Sequence, residues 1–328
     1  MGVRYELTVV ILMVLVHQSV QLRSTHPLHE VVDRINNHGG PYIGLVLAFP
    51  AEQVPLLNSG LFVPNSRNPF IQLSGRKFNI GKIKGVDVIY VLTGEQTVNA
   101  AITVQSLLQT FNIKGIVHYG IAGCTNTSMS VGDVGVPHSF AFTSSWKWLD
   151  FGSEETSEKE LKFGAYNHPQ TGENLLERIQ FSPVQLFTNG KAMEEIFWFP
   201  VDAHWYNLAT QLQRVKLQQC LNETACLPKE PKVVFGLRGS TANVFMSNLA
   251  FAKFLYEEFS ISTADEESAA VVHASLSNGV PCVVFRGVSD VAGGEKLALA
   301  GLSSLAAINS FKVAAKFVEL IGRKKATF

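Results

Sequence analysis

Short apolar runs rich in Val and Ile, bounded by Gly or Pro, alternate along this chain with segments of helical spacing. Residues 42–49 (YIGLVLAF), 86–92 (VDVIYVL), 115–119 (GIVHY), 233–235 and 281–286 (PCVVFR) read as buried strands. Between them Val98, Ala101, Ile102, Val104, Leu108 and Phe111 recur mainly at helical intervals, as do Leu302, Leu305, Ile308, Phe311, Ala315 and Val318. Strands alternating with helices predict an α/β fold, a sheet covered by helices on both faces.

Two regions break this pattern. Residues 7–16 (LTVVILMVLV) form an apolar run that spans only ~15 Å as a helix, half of a bilayer core, and Arg4 precedes it. That is the pattern of a secretory signal peptide, assigned to residues 1–24, followed by an extension over 25–39. Around residues 144–203 the chain turns rich in Trp, Phe, Glu, Ser and Pro without periodicity, the pattern of elaborated loops or a lid. Trp146, Trp148, Trp198 and Trp205 fall in or beside this insertion and suit a subunit or domain contact.

The 328 residues carry 27 Lys+Arg against 27 Asp+Glu. That balance lacks the basic footprint of a protein that binds nucleic-acid polymers. No later run is long enough to span a bilayer, so no membrane partner is expected. A secretory route makes Cys220 and Cys226, six residues apart in a polar loop, a candidate disulfide. It also makes Asn126 and Asn222, each in an N-x-S/T triplet, candidate glycosylation sites. Cys124 and Cys282 border strand-like runs and read as buried thiols. The cysteines lack a further Cys or His pair at ligand spacing, and neither a metal nor a cofactor is expected.

The motifs of dinucleotide binding, P-loops, serine hydrolases and zincins are missing. What remains is acid at strand ends, where open α/β sheets bind ligands. Glu52 follows the first strand, Asp290 follows PCVVFR, and Glu267 stands where a strand-like ISTA passes into a helix. Taken singly, each also suits a helix first turn or N-cap. The small residues Gly120, Ile121, Ala122 and Gly123 after GIVHY would let backbone N–H groups approach a ligand, or would simply turn. Three carboxylates without metal ligands or a nucleophile fit glycosidic cleavage through an oxocarbenium-like transition state.

GLVLAFPAEQVPLL (44–57), HYGIAGC with VGDVGVP downstream (118–137), ADEESAAVVHAS (264–275) and VVFRGVSDVAG (283–293) together resemble the ordered motifs of the nucleoside phosphorylase and methylthioadenosine/adenosylhomocysteine nucleosidase superfamily. The resemblance covers about residues 40–322, with a basic tail at 323–328. It implies a single three-layer α/β/α domain with a central mixed sheet. It implies that Asp290 protonates or hydrogen-bonds purine N7 with Ser289 beside it, that Glu267 holds the ribose hydroxyls, and that Glu52 activates water. Asn243, Val244 and Phe245 would line the base. The expected partners are a purine nucleoside and further copies of the chain in a homo-oligomer.

The departures bear on chemistry. Glu266 replaces a Met beneath the ribose and must pair, protonate or face out. His118 stands in place of a phosphate-binding Arg, and Ile121 replaces a Ser or Thr. Each lost charge-assisted hydrogen bond costs ~1.5–3 kcal/mol, which disfavours phosphate. The leader and the aromatic insertion are, more narrowly, similar to the bark and vegetative storage proteins of poplar and their wound-inducible relatives. That likeness implies a nitrogen reserve in the vacuole or outside the cell. The retained carboxylates imply instead a working nucleosidase or phosphorylase acting on purine nucleosides or cytokinin ribosides.

Overall fold

A computed structural model describes residues 24–149, 153–154, 160–162, 176–291 and 302–324. In chain order the elements begin with α1 (His29–His38), β1 (Tyr42–Leu47), α2 (Pro50–Asn58), β2 (Phe62–Pro64), β3 (Phe70–Leu73), β4 (Arg76–Ile83) and β5 (Val86–Leu92). Next come α3 (Thr97–Thr110), β6 (Ile113–Cys124), β7 (Val134–Phe142), β8 (Trp146–Leu149), β9 (Glu160–Lys162), β10 (Arg178–Phe181), β11 (Val184–Leu186), β12 (Glu194–Ile196) and β13 (Phe199–Pro200). Then follow α4 (Ala203–Ala209), β14 (Val233–Thr241), α5 (Leu249–Phe259), β15 (Ile261–Asp265), α6 (Ser268–Ser277), β16 (Cys282–Val291) and α7 (Ser304–Lys324).

Successive side chains of a strand leave opposite faces, and here both faces are apolar. Leu45, Leu47, Val117, Tyr119 and Phe285 pack on one side against α2, α4 and α7. Val46, Ile116 and Val284 pack on the other against α1, α3 and α6. The result is the expected helix, sheet, helix layering around a mixed sheet. β1 runs parallel to β5 and β6, β16 runs parallel to β6, and β4 is antiparallel to β5.

The sheet also closes on itself at one end. β6 pairs with β16, β16 with β7, β7 with β14, β14 with β15, and β15 returns to β6. This ring gathers the ends of β6, β15 and β16 at one place. The extension ahead of residue 40 is part of the fold. Val32 and Ile35 of α1 enter the core, and Tyr42 Oη donates to Ile35 O at 3.0 Å.

The leader expected over residues 1–24 lies outside the described residues except for Ser24, and so do 325–328 of the basic tail. Arg323 and Lys324 of that tail are the last residues of α7. The described part of the insertion forms an antiparallel β8–β10–β9 sheet, a β11–β12 pair, and β13, which joins the main sheet at β7. Trp205, by contrast, is a core residue against Phe317, and Gly115 is glycine because any side chain there would run into its indole. Among the described residues no helix is long and apolar enough to cross a membrane.

Candidate active site

Glu52 is the third residue of α2, where the helix dipole and free N–H groups favour a carboxylate. Its Oε2 accepts from Ala48 N at 2.6 Å and Phe49 N at 3.4 Å, and its Oε1 accepts from Ile121 N at 2.8 Å. Glu267 precedes α6, and its Oε1 accepts from Gln96 N at 3.1 Å. Asp265 ends β15, and its Oδ1 accepts from Thr241 Oγ1 and the N–H groups of Glu267 and Ser268.

Arg286 joins these three acids. It is fully buried on β16, with Glu52 Oε1 at 3.6 Å, Asp265 Oδ2 at 3.0 Å and Glu267 Oε2 at 3.2 Å. Gly120 has no room for a side chain because a Cβ would meet Glu52 Oε1 and Arg286 Nη1. Neither Arg286 nor Asp265 is among the residues that the sequence singles out. The available signal was a lone Arg inside the apolar run PCVVFR, which has to be paired if that run is a buried strand.

One buried cation against three carboxylates leaves excess negative charge, and protonation relieves it. Burial pushes Glu267 up to about 7 against the pull of Arg286. Burial likewise raises Glu52, opposed by Arg286 and the three N–H donors, whereas Asp265 is held low because Arg286 and its hydrogen bonds outweigh its burial. Arg286 is raised: burial alone would lower it, and the carboxylates more than reverse that.

These groups form the back of a cleft. Glu52, Asp265, Glu266, Glu267 and Asp290 line it with Glu95, and Ile121, Ala122, Gly123, Ser289, Val244 and Phe245 complete most of the wall. Asp290 Oδ2 accepts from Ser289 Oγ at 2.7 Å. Val244 and Phe245 are 58% and 78% exposed, an apolar flank on the open side. These acidic side chains make the cleft suit a neutral or cationic ligand over a phosphate dianion. Glu266 lines the cleft without a hydrogen-bond partner among the described residues, and its pKa is raised by partial burial and by the charges of Glu95 and Asp265.

Several expectations are corrected. Gly120 to Gly123 are neither a loop nor a turn but the end of β6, and Ile121 N–H is already committed to Glu52. Ser289 and Asp290 lie within β16, which runs further than the apolar run suggested. His118 does not face a ligand. Its Nδ1–H donates to Val46 O at 2.9 Å, its Nε2 takes a 2.6 Å contact from Arg286 Nη2, and burial with that cation lowers its pKa to about 3. Asn243 is turned to α3, where Oδ1 accepts from Thr97 N at 2.9 Å, and it does not line the cleft.

Away from the cleft, Cys220 and Cys226 are disulfide-bonded, and Cys124 and Cys282 are buried free thiols. Asn222 is exposed in the disulfide loop. Asn126 is only 9% exposed and its Nδ2, the atom that would carry a glycan, donates to Ser262 Oγ, so a glycan does not fit there in this fold.

Known proteins resemble this chain in sequence and in fold. The chain is 40% identical to bark storage protein A of Populus deltoides over 93% of its own length and 96% of that protein. It is 24% identical to the 5'-methylthioadenosine/S-adenosylhomocysteine nucleosidase of Chromohalobacter salexigens, over 84% and 97% of the two chains. The fold matches the Colwellia psychrerythraea nucleosidase crystallised with adenine at a TM-score of 0.60 and 21% identity, covering 85% of this chain and 95% of that one. The Helicobacter pylori futalosine hydrolase matches at 0.58 and 20%, covering 86% and 97%. The family model described as the phosphorylase superfamily spans residues 42–319, and the chain belongs to that superfamily.

Proposed function

We propose that this protein is a nitrogen reserve of the bark-storage type whose cleft binds purine nucleosides and cleaves their N-glycosidic bond by hydrolysis. The reserve role is supported by 40% identity across nearly the whole length of a bark storage protein. The cleft chemistry is carried by one observation, the buried Arg286 tied to Glu52, Asp265 and Glu267. Burying such a cluster costs several kcal/mol per ion before pairing, and a purely passive reserve gains nothing from it.

In this reading Asp290 protonates the purine, which weakens the bond to the sugar. Glu267 holds the ribose hydroxyls, and the cleft carboxylates stabilise the oxocarbenium-like transition state. Glu52, raised by burial and fixed by three N–H groups, takes a proton from the attacking water. The carboxylates that line the cleft support water over phosphate as the nucleophile, because they repel an anion. The leader-like start, the Cys220–Cys226 bond and exposed Asn222 support passage through the secretory route to the vacuole or cell exterior. Exposed Val98 and Ile102 on α3 support a homo-oligomer.

The test is to incubate the purified protein with inosine, adenosine and methylthioadenosine, with and without phosphate, and to measure released base. Release that is independent of phosphate and abolished by Asp290→Asn is expected. No release above that control and no nucleoside binding would leave only the reserve role. The reserve role itself requires the protein to accumulate when nitrogen is plentiful and to decline during regrowth.

A further inference from the structure

A second cavity, of opposite polarity, lies behind the helix that carries Glu52. Glu52 and Leu56 turn inward from α2, whereas Ala51, Val54, Pro55 and Asn58 line a groove against α7. Along α7 the groove takes Ser304, Ile308, Phe311, Ala315 and Glu319, one face of the helix over ~22 Å. Phe311 and Ala315 are buried at its floor, and Val54, 50% exposed, stands in its wall.

Its rim is cationic. Lys84, Lys312 and Lys316 line it with a single acid, Glu319, which pairs with Lys316 at 3.0 Å and also with Arg323. Neither Lys84 nor Lys312 has an ion-pair partner among the described residues, so two cationic groups border an elongated apolar channel. Concave apolar sites with a few convergent polar groups are the usual form of small-molecule sites. The nucleoside cleft, lined by acids, would repel an anion; this groove would attract one.

We propose that the groove between α2 and α7 binds a fatty-acid anion, with the alkyl chain along Val54, Pro55, Ile308 and Phe311 and the carboxylate at Lys84 and Lys312. An elongated apolar floor selects the chain, and the two lysines on its border select a carboxylate over an uncharged head. The site is independent of nucleoside cleavage, so either reading can fail alone.

Isothermal titration of the purified protein with dodecanoate tests this, with dodecanol as the uncharged control. The expected result is one saturable site per chain, at least tenfold tighter for dodecanoate than for dodecanol. The double variant Lys84→Glu/Lys312→Glu should weaken it tenfold or more while melting at the wild-type temperature. Val54→Asp, at a half-exposed wall position, should do the same. Absence of saturable binding, equal affinity for dodecanol, or unchanged affinity in the folded double variant overturns the proposal.

Discussion

Arg286 Nη2 lies 3.2 Å from Glu267 Oε2 with the guanidinium fully buried, so the acid expected to hold the sugar is fixed by a cation that lies behind it. The same guanidinium faces Glu52 and Asp265. Glu52, Asp265 and Glu267 therefore share one cation, in addition to the backbone N–H groups that each accepts from.

Replacing that side chain should cost stability as well as function. Arg286→Met leaves three buried carboxylates without their cation, and breaking a buried pair in this way costs about 3–5 kcal/mol. Arg286→Lys keeps the charge but loses the planar fork, and should fall between. Urea unfolding at pH 7 measures both; a loss under about 1 kcal/mol for Arg286→Met contradicts the pairing.

The raised pKa of Glu267, about 7 in the fold against an ordinary value of 4.5, gives a pH signature. Between those values the folded state holds a proton that the unfolded chain has released. The contribution of this group is therefore full below pH 4.5 and lost as pH rises through 7. His118, lowered to about 3, acts in the opposite sense, losing stability as pH falls below 6.5. The clean observable is a difference: Glu267→Gln should gain stability relative to wild type from pH 4.5 to 8, and a flat difference contradicts the shift.

Gly120→Ala should disturb the same cluster from the backbone side. A methyl group there meets Glu52 Oε1 and Arg286 Nη1, so one of them must move. Nucleoside cleavage should fall at least tenfold, and tritrated or fluorescent nucleoside binding should weaken with it; wild-type turnover in this variant would mean that the close packing has no role.

Layering and three of the cleft's carboxylates are legible in the sequence because both rest on local pattern, whereas Ser289, Val244 and Phe245 come only from the family resemblance. The strands beginning at Tyr42, Val86 and Cys282 stand out as Val- and Ile-rich runs, with Glu52 after the first, Asp290 at the end of the last and Glu267 after the strand-like ISTA. The full lengths of β6 and β16 are not legible because Gly120, Gly123 and Gly287 interrupt the apolar signal, and polar Ser289 and Asp290 look like a loop although Asp290 pairs with Gly123 of β6 and Ser289 is the bulge beside it. β7 and β4 are hidden in the sequence because their Gly, His, Asn and Lys positions blur the alternation. The role of Arg286 is not legible because its partners come from α2, β15 and the residue before α6, separated by long stretches of chain. The burial of His118 and Asn126 is likewise a property of packing that no local motif carries.

Burial also separates the two glycosylation triplets. Asn222 is exposed, while Asn126 Nδ2 is tied to Ser262 Oγ at 3.2 Å. Protein made in a plant secretory host should lose its glycan mobility shift in Asn222→Gln and keep it in Asn126→Gln; a shift that depends on Asn126 contradicts the packing described.

Water, in this proposal, takes the place of phosphate as the nucleophile. Adenosine incubated with the protein in phosphate buffer, with the sugar product identified by mass spectrometry, decides between the two. Free ribose, absent from an Asp290→Asn control, is the predicted product; ribose 1-phosphate, or no sugar release above that control, would contradict the account.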